Sequence, residues 1–280
     1  MKSFHAHEGF TLVELSIVLV IIGLIIGSIL VGRDLIHAAE IRATVSQIEK
    51  YNSAANTFRN KYGGLPGDLS YDKAAQLGFF AFTGANAGKP GYGDGNGLIN
   101  AAGGGGGFAG EVLVFWRHLS DAKLINGNYG TTGSAALVTT TGTVTADMTT
   151  GLDQVLPASR MGITNFISVY AGLNPGDAGH NFYEFLPTND ISPGGSGNAL
   201  SGVVSVDAYV FDQKTDDGLP NSGRVLATFQ AGMDSFPPVW QAAPGGDSCT
   251  YGGTSGSDSA ARYNVTSATP LCGMQVQASF

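Results

Sequence analysis

From Phe10 to Val31 the chain runs 22 residues with one charge, Glu14. As an α-helix this segment measures roughly 33 Å, close to the ~30 Å hydrocarbon core of a bilayer. A secretory signal peptide would need small residues at a cleavage site after the run. Here it leads instead into Gly32-Arg33-Asp34-Leu35-Ile36-His37 and more helical sequence, so the pattern predicts a retained membrane anchor. The apolar period then changes. Ala38, Ile41, Val45, Ile48, Tyr51, Ala55, Phe58 and Tyr62 recur at steps of three and four, which is one face of a helix. Gly63-Gly64-Leu65-Pro66 supplies a glycine cap and a proline stop. A single helix over about 10–62 is predicted, roughly 80 Å long. Its first half is apolar all round and its second half amphipathic.

Beyond it the pattern is mixed. A short helix is predicted from Ser70 or Asp72 to Leu77, and another over Glu111 to Leu124 with His118 at its surface. Phe166–Tyr170, Val203–Phe211 and Arg224–Gln230 read as strands. The link Asp212 to Gly223 reads as a long hairpin-type connection. Glycine is 42 of 280 residues, about twice the usual 7%. Much of it falls in Ala87–Gly110, read as a long loop, while threonine-rich Gly130–Gly151 reads as a solvated hairpin. The expected fold is α+β: a long amino-terminal helix, membrane-spanning in its first half, packed by an antiparallel sheet in a large carboxyl-terminal head. The expected organisation is a leader over 1–9, the long helix over 10–62 and a globular head over 63–280.

Gly9-Phe10-Thr11-Leu12-Val13-Glu14 and the helix that follows, to about Tyr62, resemble the type IV prepilin-like family of pilins and type II secretion pseudopilins. The resemblance implies a pilin-like fold, cleavage after Gly9 by a prepilin peptidase, and N-methylation of Phe10. It also implies that Glu14 pairs with the amino-terminal ammonium of a neighbouring subunit. A lone carboxylate at mid-membrane costs on the order of 2.5–3.5 kcal/mol on insertion scales, so it calls for such a partner. The implied partners are the peptidase, other pilin or pseudopilin subunits, an inner-membrane assembly platform, and membrane lipid before assembly. The implied location is the bacterial inner membrane, then a periplasmic or cell-surface filament. Two departures qualify the match. The leader carries Lys2 as its one basic residue besides two histidines, and Phe10–Val31 lacks the proline of many major pilins. Together with a head of over 200 residues, the missing proline points to a minor filament subunit. A tip-located adhesin or surface-binding protein is the alternative.

Charge and cysteine content narrow the chemistry. A net charge of −8 argues against nucleic-acid binding. Cys249 and Cys272 form an even pair, and in an exported chain they predict one disulfide. Asp212, Asp216 and Asp217 cluster ahead of Gly218, chemistry that suits calcium, although Lys214 and the late glycine depart from an EF-hand. Gly93-Asp94-Gly95-Asn96-Gly97 is a weaker calcium candidate and reads first as a turn. No His-Glu-x-x-His, Gly-Lys-Ser/Thr phosphate loop or Gly-x-Ser-x-Gly occurs, so no enzyme is expected.

Overall fold

The computed structural model describes residues 11–79, 93–100, 110–129, 151–162, 165–171, 179–187, 202–229, 249–251, 261–266 and 272–280. The expected leader, most of the Ala87–Gly110 loop and nearly all of the threonine-rich hairpin lie outside them.

Helix α1 runs unbroken over Leu12–Tyr62, about 77 Å at ~1.5 Å per residue. It ends where the sequence places its stop. Gly63 takes the left-handed conformation (φ 71°) and its N–H donates to Arg59 O at 2.8 Å, a cap that only glycine adopts without strain. Burial begins at Ile41 and continues through Thr44, Ile48, Tyr51, Asn52, Ala54, Ala55 and Phe58. The predicted stripe is therefore the head-facing stripe, widened by two polar residues. Asn52 Oδ1 accepts from Ser279 N at 3.1 Å, tying the carboxyl-terminal segment to α1.

Two short helices follow, α2 (Tyr71–Gln76) and α3 (Glu111–Asp121). Trp116 of α3 meets Tyr51 edge-on at 4.8 Å, and Phe58 stacks on His118 at 5.8 Å. His118 is not at the surface as its polarity predicts. It is 1% exposed, and its Nδ1 accepts from Gly67 N at 3.0 Å. Helix α3 is enclosed on nearly every side, so a histidine that satisfies a backbone N–H sits in the core.

The head sheet has four antiparallel strands in the order β1-β2-β6-β3: β1 Asn165–Ala171, β2 Asn181–Pro187, β3 Val225–Phe229 and β6 Cys272–Gln277. Tyr183 of β2 turns toward α1 and α3, 6.3 Å from Tyr51 and 6.5 Å from Trp116. The opposite face is also buried. There Ser168, Glu184 and Gln275 stand side by side across three strands, each 3% exposed or less. Burial holds the Glu184 carboxyl well above the usual carboxylate range.

The predicted strand Val203–Phe211 is instead helix α4, Ser205–Thr215. Its apolar residues fit both periods. The helix wins because Ser205, Ala208, Phe211 and Asp212 form one buried face at steps of three and one, with Phe211 edge-on to Phe185 of β2 at 5.8 Å. Val203 and Val204 stay extended, and Val203 exchanges two backbone hydrogen bonds with Cys272. The predicted connection Asp212–Gly223 is corrected with it. Asp212 lies within α4, and the stretch beyond Thr215 links a helix to β3 rather than one strand to another. A two-stranded ribbon, β4 (Thr250–Tyr251) with β5 (Arg262–Tyr263), lies against α4.

Candidate functional site

The amino-terminal end of α1 is held by a capping box. Thr11 Oγ1 accepts from Glu14 N at 3.2 Å, while Glu14 Oε2 accepts from Thr11 N at 2.9 Å and from Thr11 Oγ1 at 2.8 Å. Both of the latter bonds fall on one carboxylate oxygen. From Leu12 to Val31 the residues are exposed, and the strongest apolar window of α1 is wholly unburied by the head. The polar hydroxyls within it are satisfied locally, Ser16 Oγ donating to Val13 O and Ser28 Oγ to Leu24 O, both at 2.8 Å. An isolated helix with that surface belongs in lipid or against other apolar helices. Gly23, Gly27 and Gly32 would meet no neighbour with an added Cβ, and of these Gly23 and Gly27, four residues apart, share one open helix face. Gly9 and Phe10 lie outside the described residues.

In the head, the structure brings Asp212, Asp216 and Asp217 together, one oxygen from each within 4.8 Å of the others. All three already accept donors from the chain. Asp212 takes Gly218 N at 3.1 Å and Tyr263 Oη at 2.8 Å. Asp216 takes the backbone N–H groups of Arg224 and Val225. Asp217 takes Leu219 N and Ser222 Oγ. Burial, opposed by those bonds, pushes the Asp212 carboxyl up to about 6.

Asp68, Asp94 and Glu111 form a comparable group. Here the Gly93–Gly97 turn wraps onto residues that sequence reasoning did not join to it. Asp68 accepts from Gly95 N and Gly97 N, while Glu111 accepts from Asp94 N and Asn100 N. Glu111 is 1% exposed, and desolvation pushes its carboxyl up to about 8. A glutamate opening an apolar helix, after an Asp-Gly-Asn-Gly turn, was the signal available in the sequence. What it lacked was the fold that sets Asp68 beside them.

Cys249 and Cys272 are joined by a disulfide, their Cα atoms 4.9 Å apart. An open polar groove lies between α1 and the 124–129 and 157–160 segments, with Lys50 and Arg160 on its walls beside Tyr129 and Asp153. The sequence offers Glu184 or Asp177 as an acid–base partner for His180; His180 is exposed, Glu184 is enclosed in the sheet, and Asp177 lies outside the described residues.

Residues 5–30 match the family profile described as the prokaryotic N-terminal methylation motif. No curated protein and no solved structure matches the chain at a significant level. The matched segment includes Gly9, Phe10 and Glu14, and covers most of the exposed apolar half of α1. The chain thus carries the signal motif of type IV prepilin-like proteins at residues 5–30, at the head of a long helix and an α+β head.

Proposed function

We propose that the protein is a minor structural subunit of a type IV pilus-like or type II secretion pseudopilus filament. A prepilin peptidase cuts it after Gly9, the new amino terminus Phe10 is N-methylated, and the chain assembles through the first half of α1. The observation that carries this reading is a 51-residue helix, apolar and unburied in its first half, with Glu14 held at its start within the matched motif.

The charge logic is specific. Thr11 holds Glu14 in its own helix with two bonds to Oε2. An incoming ammonium on a neighbouring Phe10 offers a full countercharge, and in hydrocarbon each charge offsets much of the other's desolvation. Before assembly the same helix half sits in the inner membrane. Afterwards it packs against other pilin or pseudopilin helices, delivered by an inner-membrane assembly platform, in a filament that is periplasmic or at the cell surface. The division into a 1–9 leader, a 10–62 helix and a 63–280 head follows from this processing. Structural assembly needs no catalytic group, and we assign none.

Mass spectrometry of the amino terminus of membrane-extracted protein tests the reading. A chain beginning at N-methyl-Phe10, lost when Gly9 is substituted, is expected. A chain that begins at Met1, or one cut after Val31, would remove the assembly role of Glu14.

The tip-adhesin alternative draws on the polar groove beside Lys50 and Arg160. Stoichiometry in sheared filaments separates the two. A subunit found along the shaft supports the structural role, and trace protein with an adhesion defect supports the tip. We also propose calcium at Asp212, Asp216 and Asp217, whose oxygens converge within reach of one ion. Calcium would supply a hard positive charge to three carboxylates at the end of α4. Calorimetric titration of chelator-treated protein with calcium, beside Asp216→Asn, tests it: no heat in the unsubstituted chain removes the ion.

A further inference from the structure

Helix α1 is unbroken over 51 residues, so positions far apart along it keep a common face. From Glu14, steps of four and three lead along one such face to Lys50, and no other charge lies on the path. The two charges stand 36 residues apart, about ten turns and 54 Å along the axis. A hydrocarbon core of ~30 Å covers little more than half of that length. Within the membrane-length part this face carries Val18, Ile21 and Ile25. Past Val31 it carries Ile36, Ala39, Ala43 and Ser46, all exposed, Ile36 at 59%. The head covers a different side of the helix. Ile41, Thr44 and Ile48 turn inward there, and His37 Nδ1 lies 3.4 Å from Asp207 Oδ2 of α4. At the far end Ala43, Ser46 and Lys50 wall the polar groove. The chain thus presents an uncharged helix face that continues where lipid no longer reaches and where its own head does not cover it.

We propose that this face is a helix–helix seam, and that its outer part, Ile36 to Ser46, is covered in the filament by the apolar amino-terminal half of another subunit's long helix. The inference rests on the filament reading and extends the contact surface from the first half of α1 into the second. Lipid is excluded by distance. Ile36 lies five residues past Val31 and Ser46 fifteen, about 7 and 22 Å along the axis. Steps of four and three are the spacing with which one helix packs along another, and they fit neither a strand nor a loop as partner. Ala39, Ala43 and Ser46 are small, so two backbones can approach closely there. With no charge to meet, the partner must itself be uncharged over about three turns. Each subunit of this kind brings such a segment at its start. Setting that segment level with 36–46 displaces the partner outward by about 20 residues, or 30 Å. The partner is then a subunit that has left the membrane ahead of this one.

Photo-cross-linking of the full chain in cells that assemble the filament tests it. Benzoylphenylalanine is placed at Ile36, at Ala39 or, as a control, at the exposed Asp34 half a turn away. Adducts from 36 and 39 are expected to carry a peptide from the apolar first half of a processed subunit's helix, at several times the yield from 34. Adducts with lipid alone, with a protein lacking such a helix, or in equal yield from 34 would overturn the seam, and so would no adduct at all. Ala39→Arg gives a second readout, at an exposed position outside both the bilayer segment and the head core. Its processing should match that of the unsubstituted chain, while its share of sheared filaments falls about tenfold or more, because an unpaired charge is buried at the contact. Undiminished incorporation would overturn the inference. A chain left uncut at Gly9 sinks the filament reading and the seam together. A cut chain that enters filaments without linking at 36 or 39 sinks the seam alone.

Discussion

Glu14 and Glu111 show how position decides what a carboxylate does. Glu14 closes the first turn of α1 yet stands in the open. If its assembly role is right, Glu14→Gln leaves cleavage after Gly9 intact, because the site lies before the helix. Incorporation into sheared filaments should drop at least about tenfold, since a neutral amide no longer offsets a buried ammonium (roughly 1.4 kcal/mol per tenfold). Immunoblots of sheared and cell-bound fractions check this, and equal incorporation of both forms would refute it. Glu111 is the reverse case, an acid enclosed with other acids. Its folded pKa of about 8 lies above the ordinary glutamate value. The folded state therefore binds its proton more tightly than the unfolded state, and stability is full at low pH and lost as pH rises through the window up to about 8. In chelator-treated protein this loss is expected at up to roughly 1.4 kcal/mol per pH unit. Denaturant unfolding at pH 5 and pH 8 measures it, and Glu111→Gln should flatten the difference.

At the scale of elements, α1 and α4 are opposites. Helix α1 is specified many times over: an apolar run, a face at helical spacing, a capping box and a glycine stop all agree. Helix α4 carries 11 residues whose apolar positions satisfy a strand as well as a helix. Contacts with β2, β5 and α1 choose between them. The segment between α1 and α3 depends on close backbone approach. Gly67 has φ 85°, and an added Cβ would lie 2.6 Å from Glu111 O. Gly67→Ala is expected to destabilise the head by about 2 kcal/mol or more, from strain at positive φ and from displacement of the α3 start. Thermal unfolding of the variant beside Gly64→Ala, whose added Cβ meets only the end of the flexible Leu69 side chain, separates strain from crowding. The core of the same region makes a second expectation. Phe58 is fully buried against Tyr62, Phe79 and His118. Phe58→Ala should cost about 3–5 kcal/mol by the usual cavity penalty, read as a lowered denaturant midpoint with no change in amino-terminal processing.

In the whole molecule, some features rest on neighbours along the chain and others on packing between distant segments. The long helix, its membrane-length apolar half, its stop at Gly63 and the methylation motif were legible because each rests on neighbours in the chain: hydrophobic period, helix capping and a contiguous motif. β1 and β3 were legible for the same reason. The missed β2 is buried on both faces, so Phe182, Tyr183 and Phe185 erase the alternation that marks a half-exposed strand. β6, near the end of the sequence, lies in the middle of the sheet, a place set by pairing with strands about 45 and 90 residues earlier. The same distance hid the meeting of Asp68, Asp94 and Glu111, the burial of His118, and the contact from Tyr263 to Asp212. Local chemistry sets which residues are able to form an element. Where two elements are equally permitted, or where side chains far apart must share a buried space, the choice belongs to packing, because only the assembled core excludes water from one alternative and not the other.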